Sequence, residues 1–394
     1  MSATEKNPFR PGNGIVPPFV AGREQVLESF SSLLDENSRG LPRNLILYGL
    51  RGTGKTVMLQ LFRTLCEEKG WLFAEREFNE RFRDEEFFAE AFLKDVTNTA
   101  SQVSLRKRIK EIGKKVGDTI KPEEVEVFGV KYKPFYKAEH VLLEDYLKDS
   151  LINNWKIINE ASTKNKGLVF LYDEFHSVRD CTPNFPLASL LGAMAYAQRK
   201  ECRYILVLAG LPNIRGYLKE AKTYVERMFA FSELGNLPPA DAKRAIEEPL
   251  AGSGIKFNAE VLEAIANETR GYPYFLQFYC YYLIEKLDKF TINLSDYQAV
   301  HEEILAQLDK SFFEDRFNQA SEAEQNILLS MAKAGEEDVK TSEISKRVKQ
   351  DYQTLIVTLN RLLDKNIIYK TKKGRYSFAL PLFRNFLMRK LSKT

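Results

Sequence analysis

The stretch Gly49-Leu50-Arg51-Gly52-Thr53-Gly54-Lys55-Thr56 decides how this chain is read. It satisfies every fixed position of G-x-x-x-x-G-K-[ST], a loop that cradles phosphate. Its flanks agree. Asn44-Leu45-Ile46-Leu47-Tyr48 is a short apolar run of the kind a buried parallel strand needs, and Thr56-Val57-Met58-Leu59-Gln60-Leu61-Phe62 opens a helical pattern directly after. Gly49, Gly52 and Gly54 let the backbone curl so that its N–H groups face phosphate oxygens, with Thr53 carried in the same bend. The following helix adds the positive end of its dipole. Lys55 has the reach for β- and γ-phosphates, and the Thr56 hydroxyl is a ligand for Mg²⁺, so ATP with Mg²⁺ is the expected cofactor pair.

A second apolar strand, Gly167-Leu168-Val169-Phe170-Leu171-Tyr172, runs into Asp173-Glu174. A hydrophobic strand ending in two acids suits metal-assisted hydrolysis: Asp173 to hold Mg²⁺ through water, Glu174 to polarise the attacking water. Acids also follow strands simply as helix caps; behind the glycine loop, hydrolysis is the stronger reading. A third strand, Tyr204–Ala209, leads into Gly210-Leu211-Pro212-Asn213. Two readings of Asn213 stand: a polar side chain touching the γ-phosphate, or a turn and helix start.

At 394 residues, 44% hydrophobic and 28% charged, the chain has room for two or three globular domains. No apolar run is long enough to span a bilayer and no secretion signal opens the sequence, so a cytoplasmic protein without membrane contact is expected. Cys66, Cys181, Cys202 and Cys280 are scattered and read as reduced thiols; His140, His176 and His301 are equally dispersed, which argues against zinc. His176, just after the acidic pair, reads as a local hydrogen-bonding residue. Charge is uneven: residues 340–394 carry fourteen Lys/Arg against three acids, +11, leaving −7 for the rest of a chain of formal charge +4. Such asymmetry points to an acidic polymer as partner.

The chain divides into a Pro/Gly-rich arm followed by the segment Phe19–Glu24 and a helix (1–43), an alternating strand–helix core (44–238), a helical region (239–319) and a C-terminal unit (320–394). The first region ends in an amphipathic helix from about Arg23 to Asp35. In the core, helices are expected at 55–69, near 84–96, 139–163, 185–199 and 213–228, with a strand at Trp71–Glu77. An insertion at about 101–138 breaks the alternation, with a basic part at Ser104–Lys115 and a hairpin pattern at Val125–Tyr132. The basic part reads either as a contact for nucleic acid or a neighbouring subunit, or as a solvated helix face. Strands alternating with helices imply a parallel sheet covered on both faces. The aromatic run Gly271–Tyr279 has helical spacing and reads as packed core rather than as a base-stacking surface. In the last unit, Ser321-x-x-Glu324 is a capping box before a helix at Glu322–Ala334. Helices at Thr341–Lys349 and Tyr352–Lys365 follow, then two strands joined by a basic turn across Ile367–Leu380. Helix, helix, helix, hairpin is a winged-helix layout. Gln353 and Arg361 lie on its recognition helix and Lys372, Lys373 and Arg375 on its wing, where they suit double-stranded DNA; winged helices also serve as protein-contact modules.

Taken in order, Phe19-Val20-x-Gly22-Arg23-Glu24, the phosphate loop, Asp173-Glu174, Ala209–Asn213, Gly271-Tyr272-Pro273 and the winged helix resemble the AAA+ ATPases, close to the replication-initiator branch and the related STAND-type ATPases. The resemblance covers nearly the whole chain outside 101–138. It implies an α/β class: a P-loop AAA+ core with a parallel sheet, a helical lid and a C-terminal winged-helix domain. It places Val20 against adenine and Pro273 among the nucleotide contacts. It makes Asn213 similar to sensor 1, and Arg227 similar to the arginine finger that reaches a neighbour's γ-phosphate in a homo-oligomer. One position departs from the initiators: their sensor-2 arginine follows a Gly in the lid, whereas here Gly271-Tyr272-Pro273 is similar to the Gly-x-Pro of STAND proteins and Arg270 precedes it. The leading expectation is an ATP-hydrolysing switch that couples nucleotide state to assembly and DNA contact. A regulatory ATPase subunit of a defence or toxin system, docking a protein effector, is the alternative. A nucleotide-binding scaffold with little turnover is the third, disfavoured by Asp173-Glu174.

Overall fold

A computed structural model describes residues 2–114, 142–161, 165–335, 338–380 and 382–392. They form two compact units: Glu24–Gly49 with Lys55–Glu233, and Met1–Arg23 with Leu50–Gly54 and Leu234–Thr394.

The first of these holds a five-stranded parallel sheet. Its strands are β1 (Asn44–Tyr48), β2 (Leu72–Glu77), β3 (Leu168–Asp173), β4 (Tyr204–Gly210) and β5 (Phe229–Glu233), ordered β2-β3-β4-β1-β5. Every residue of β1, β3 and β4 is buried, which is why those three read as unbroken apolar runs. The helices are α1 (Glu24–Ser38), α2 (Lys55–Lys69), α3 (Glu85–Lys114), α4 (Leu143–Ala161), α5 (Pro186–Arg199), α6 (Ile214–Ala221) and α7 (Val225–Met228). Phe30 of α1 stacks on Phe62 of α2 at 4.0 Å, while α3, α4 and α5 seal an aromatic layer around Phe78, Phe92, Phe170 and Tyr172. The order brings the ends of β1, β3 and β4 side by side, the place where open α/β sheets bind ligands.

Three expectations are corrected. The helix expected near 84–96 continues to Lys114, because the sequence holds no Pro or Gly before Gly113 and the Thr99 hydroxyl is satisfied by the Asp95 carbonyl at 2.8 Å. The insertion's basic part therefore begins as a continuation of α3; its side chains from residue 105, and the Val125–Tyr132 hairpin, lie outside the described residues. The single helix expected over 213–228 is two, interrupted at Lys222–Tyr224. β5, at a sheet edge and only partly buried, was not foreseen.

The second unit holds α8 (Pro239–Leu250), α9 (Ala259–Glu268), α10 (Pro273–Leu287), α11 (Leu294–Leu308), α12 (Glu314–Asn318), α13 (Glu322–Ala334), α14 (Thr341–Val348), α15 (Tyr352–Asp364) and α16 (Phe383–Ser392). A π-helical turn, Asp309–Phe313, joins α11 to α12. The region is not purely helical: β6 (Lys256–Phe257) pairs with β7 (Thr291–Ile292). β8 (Val339–Lys340), β9 (Ile368–Lys372) and β10 (Arg375–Phe378) make a three-stranded sheet in the order β8-β10-β9. One apolar core runs through all of it, and the aromatic run of α10 is part of that core: Tyr272, Phe275, Phe278 and Tyr279 are buried. Ser321 and Glu324 form their capping box. The N-terminal arm is pinned: Asn7 donates to the Tyr281 carbonyl and the Glu285 carboxylate (3.1 and 2.9 Å), and Phe9 is buried against Phe257. α16, also unforeseen, is anchored by Arg389 on Asp309 (3.0 and 2.5 Å).

Candidate nucleotide site

β1 delivers the chain to the loop, and the Gly49 N–H bonds to the Gly210 carbonyl at the end of β4 (3.2 Å). Gly52 (φ 75°) and Gly54 (φ 96°) then take left-handed conformations that turn the backbone into the start of α2. Lys55, 5% exposed, donates its ammonium to the Gly49 carbonyl at 3.0 Å, so its charge is held within the loop it belongs to. The Thr56 hydroxyl donates to Asp173 Oδ2 at 2.6 Å. That bond joins the two motifs, 117 residues apart in sequence. Asp173 Oδ1 accepts the Glu174 N–H (2.8 Å), and Glu174 sits at φ 50°, ψ 26°, a left-handed conformation costly for a residue with a Cβ. His176, buried, brings Nε2 to 3.7 Å from the Glu174 carboxylate, longer than a hydrogen bond.

The acidic strand is braced from behind. Arg76 of β2 forms a forked pair with Asp95 of α3 (2.8 and 2.5 Å), and the Tyr172 hydroxyl, one residue before Asp173, donates to the same carboxylate at 3.0 Å. Burial, then the Asp95 charge, pushes the Tyr172 phenol well above its usual range, so it stays a donor. Arg215 donates to the Tyr48 hydroxyl (3.2 Å), which in turn donates to Glu233 (3.2 Å), beside the strand that feeds the loop.

In the other unit, the loop segment Leu50–Gly54 is held by two elements. Arg23, 8% exposed, donates to the carbonyls of Thr53 (3.2 Å) and Gly235 (2.6 Å). The Tyr272 hydroxyl donates to the Arg51 carbonyl, and a Cβ at Gly52 would meet that hydroxyl at 2.5 Å. Val20 and Pro273 belong to this same unit, both partly buried.

The residues fit the cofactor the loop implies. A hydroxyl and a carboxylate already in contact are hard oxygen donors of the kind Mg²⁺ takes, and a buried ammonium in a glycine-bent loop suits phosphate. Among the described residues no group of three His, Cys, Asp or Glu is placed to hold a metal ion.

Other expected residues stand apart. Asn213 is exposed and its amide donates to the Tyr217 hydroxyl (3.3 Å) rather than to the acidic pair. Arg227 is exposed on α7, and Arg270, at φ 51°, gives its carbonyl to Asn236. On the C-terminal sheet Lys372 and Lys373 are exposed, but Arg375 turns to Asp338 (3.3 Å). Gln353 and Arg361 are exposed on α15, roughly 12 Å and about 80° apart around the helix. The roles of Arg23, Tyr272 and the Asp95 brace escaped the sequence reading; Arg23 and Tyr272 had a signal in their places in the Phe19–Glu24 and Gly271–Pro273 segments, and the brace had none.

Residues 20–207 match a family described as an AAA ATPase domain, and residues 310–387 match a domain of unknown function, DUF8462. No curated protein matches the chain. Among solved structures, a Walker-type ATPase of Pyrococcus abyssi is 15% identical, with 94% of this chain and 96% of that one covered and a TM-score of 0.57. The Orc1 protein of Aeropyrum pernix, solved in complex with DNA, is 15% identical over 96% and 94%, with a TM-score of 0.47. The RuvB Holliday junction branch migration motor of Thermotoga maritima is 15% identical over 91% and 92%, with a TM-score of 0.46. The domain match supports a P-loop ATPase of the AAA+ kind, and the Pyrococcus structure shares the fold with its central parallel sheet. Among the described residues, no helix is long and apolar enough to cross a membrane.

Proposed function

We propose that the protein is an ATP-binding and ATP-hydrolysing switch whose C-terminal domain, folded as a winged helix, grips double-stranded DNA. The observation that carries the ATPase reading is the 2.6 Å bond from Thr56 to Asp173, which puts a loop hydroxyl and a strand-end carboxylate at one point. Thr56 and Asp173 would hold Mg²⁺, which supplies charge neutralisation at the phosphates. Lys55 binds phosphate oxygen in place of the Gly49 carbonyl. Glu174 orients and deprotonates water, and its left-handed backbone fixes the direction in which the carboxylate leaves the strand. Arg227, exposed and ahead of β5, suits an arginine finger presented to a second copy.

The DNA reading rests on the net +11 of residues 340–394 and on exposed Lys372 and Lys373 at the turn between β9 and β10. One observation favours a protein partner instead: α15 exposes Tyr352 (61%) and Val357 (52%), apolar groups that a protein surface would cover better than phosphates. Fluorescence anisotropy with duplex DNA, with and without ATP over a salt series, separates the two. Salt-sensitive, ATP-dependent binding lost in Lys372→Glu/Lys373→Glu supports the DNA grip. No binding at low salt with ATPase intact overturns it in favour of a protein effector.

A further inference from the structure

Asp173-Glu174 sits in a turn whose two ends are stacked on each other. The rings of Tyr172, just before the acids, and Phe175, just after them, lie 12° from parallel with centroids 6.0 Å apart. Phe78 sets its ring against both, at 4.8 Å (62°) and 5.0 Å (74°). Each of the three is at most 2% exposed, whereas the Glu174 side chain is 27% exposed. For Phe175 to return onto Tyr172 over so short a span the chain must reverse sharply, and Glu174 takes its left-handed conformation (φ 50°) at that reversal. A strained residue of this kind persists only where its surroundings over-determine it.

The stack is also locked at its Tyr172 end. Tyr172 pairs with Arg76 across β2 and β3, and Asp173 with Glu77. The Phe78 N–H carries the pairing on, donating to the Asp173 carbonyl at 3.0 Å. Arg76 reaches Asp95 with Nε and Nη2, and its Nη2 also donates to the Ala91 carbonyl (3.2 Å), so α3 is fastened to β2. Onto that fixed carboxylate the Tyr172 hydroxyl donates at 3.0 Å. Packing does not call for the hydroxyl: phenylalanine would fill the same space, and Arg76 already pairs Asp95. What the hydroxyl adds is direction. A ring held by apolar contacts alone can slide in its seat, whereas a directional bond at its far end fixes the ring and the backbone it hangs from.

We propose that Tyr172, through its hydroxyl bond to Asp95, is a positioning residue for hydrolysis: it fixes the turn that aims the Glu174 carboxylate at the attacking water. The inference rests on the hydrolysis reading above. Tyr172 touches no reacting atom and acts through the Phe175 stack and the turn between the two rings. Loss of the lock therefore shows in the rate of hydrolysis and not in the affinity for Mg²⁺-ATP, whose phosphates fall to Lys55 and the backbone of its loop.

The test uses the full chain as wild type, Tyr172→Phe, Glu174→Gln and the double variant. Calorimetric Mg²⁺-ATP affinity and single-turnover hydrolysis at saturating ATP are the readouts. Tyr172→Phe is expected to keep its affinity within about twofold of wild type. Its rate should fall about 10-fold, a part of the roughly 10²- to 10⁴-fold that a well-aimed general base supplies. In the Glu174→Gln background the same change should move the residual rate by less than about twofold, because the group being aimed is gone. A Tyr172→Phe rate within about twofold of wild type overturns the proposal. So does a fall that persists undiminished in the Glu174→Gln background, which is what a loosened fold without a link to Glu174 gives. A parallel loss of ATP affinity overturns it too. Phe175→Leu, which removes the stack and keeps the lock, should reproduce the loss of rate, and it decides the matter if Tyr172→Phe does not fold. Failure of both variants to fold marks the cluster as structural and overturns the proposal. If Glu174→Gln itself hydrolyses ATP normally, the hydrolysis reading fails, and this inference with it.

Discussion

Replacing Glu174 by glycine should make the protein more stable and nearly inactive. Glu174 holds φ 50°, ψ 26°. The left-handed conformation costs a residue with a Cβ about 1–2 kcal/mol, and glycine avoids it. Glycine brings back about 0.5–1 kcal/mol through its freer unfolded chain. The lost contact to His176 at 3.7 Å, from a carboxylate 27% exposed, is worth a few tenths of a kcal/mol at most. The balance is a gain of about 0.5 kcal/mol, roughly 1–2 °C in melting temperature for a unit of this size. Glu174→Gln keeps both the shape and the backbone conformation, so its stability should stay within about 0.5 kcal/mol of wild type. Both variants lose the base, and single-turnover hydrolysis should fall about 10²- to 10⁴-fold. The assays are nucleotide-free thermal melts and single-turnover phosphate release on the three proteins. A glycine variant less stable than the glutamine variant would refute the stored strain. Turnover above about a tenth of wild type in either would refute the general base.

Three further outcomes follow from the contacts. Asp95→Ala strands the Arg76 guanidinium and the Tyr172 hydroxyl behind the acidic strand, a loss of about 3–5 kcal/mol measurable by urea denaturation. Burial of Glu324 opposes ionisation, but the Lys365 ammonium at 2.6 Å and the Ser321 N–H outweigh it and hold the carboxyl below its ordinary value. Its contribution is therefore full above the ordinary glutamate pKa of about 4.3 and is lost as pH falls through the lower folded value. Glu324→Gln should cost about 1–2 kcal/mol at pH 7, in melts run across pH, and the gap should close at the acid end. Arg227→Ala should lower steady-state hydrolysis in assembled protein while leaving calorimetric ATP affinity unchanged; unaltered turnover in an assembled state removes the finger assignment.

The core was legible because its signals are local. β1, β3 and β4 are buried on both faces and so spell continuous apolar runs, and the glycine loop and Asp173-Glu174 each sit at the end of one of them. β5 was not legible: an edge strand of five residues, half-covered, carries no such run. The α3 extension was obscured by polar Thr97–Gln102, residues that interrupt an apolar pattern without breaking a helix. α16 and the Arg389–Asp309 pair depend on a partner 80 residues away, beyond the reach of any spacing rule. The same holds for the Asp95 brace, where β2, α3 and β3 converge. On the last unit, the capping box and three helices were readable, while the engagement of Arg375 by Asp338 was not, since β8 is two residues long.

The most direct test of the central claim is paired: calorimetric Mg²⁺-ATP affinity and single-turnover hydrolysis on wild type, Lys55→Ala and Glu174→Gln. The account predicts binding and hydrolysis in the wild type, loss of binding in Lys55→Ala, and retained binding without hydrolysis in Glu174→Gln. Wild-type affinity in Lys55→Ala, or normal hydrolysis in Glu174→Gln, would contradict it.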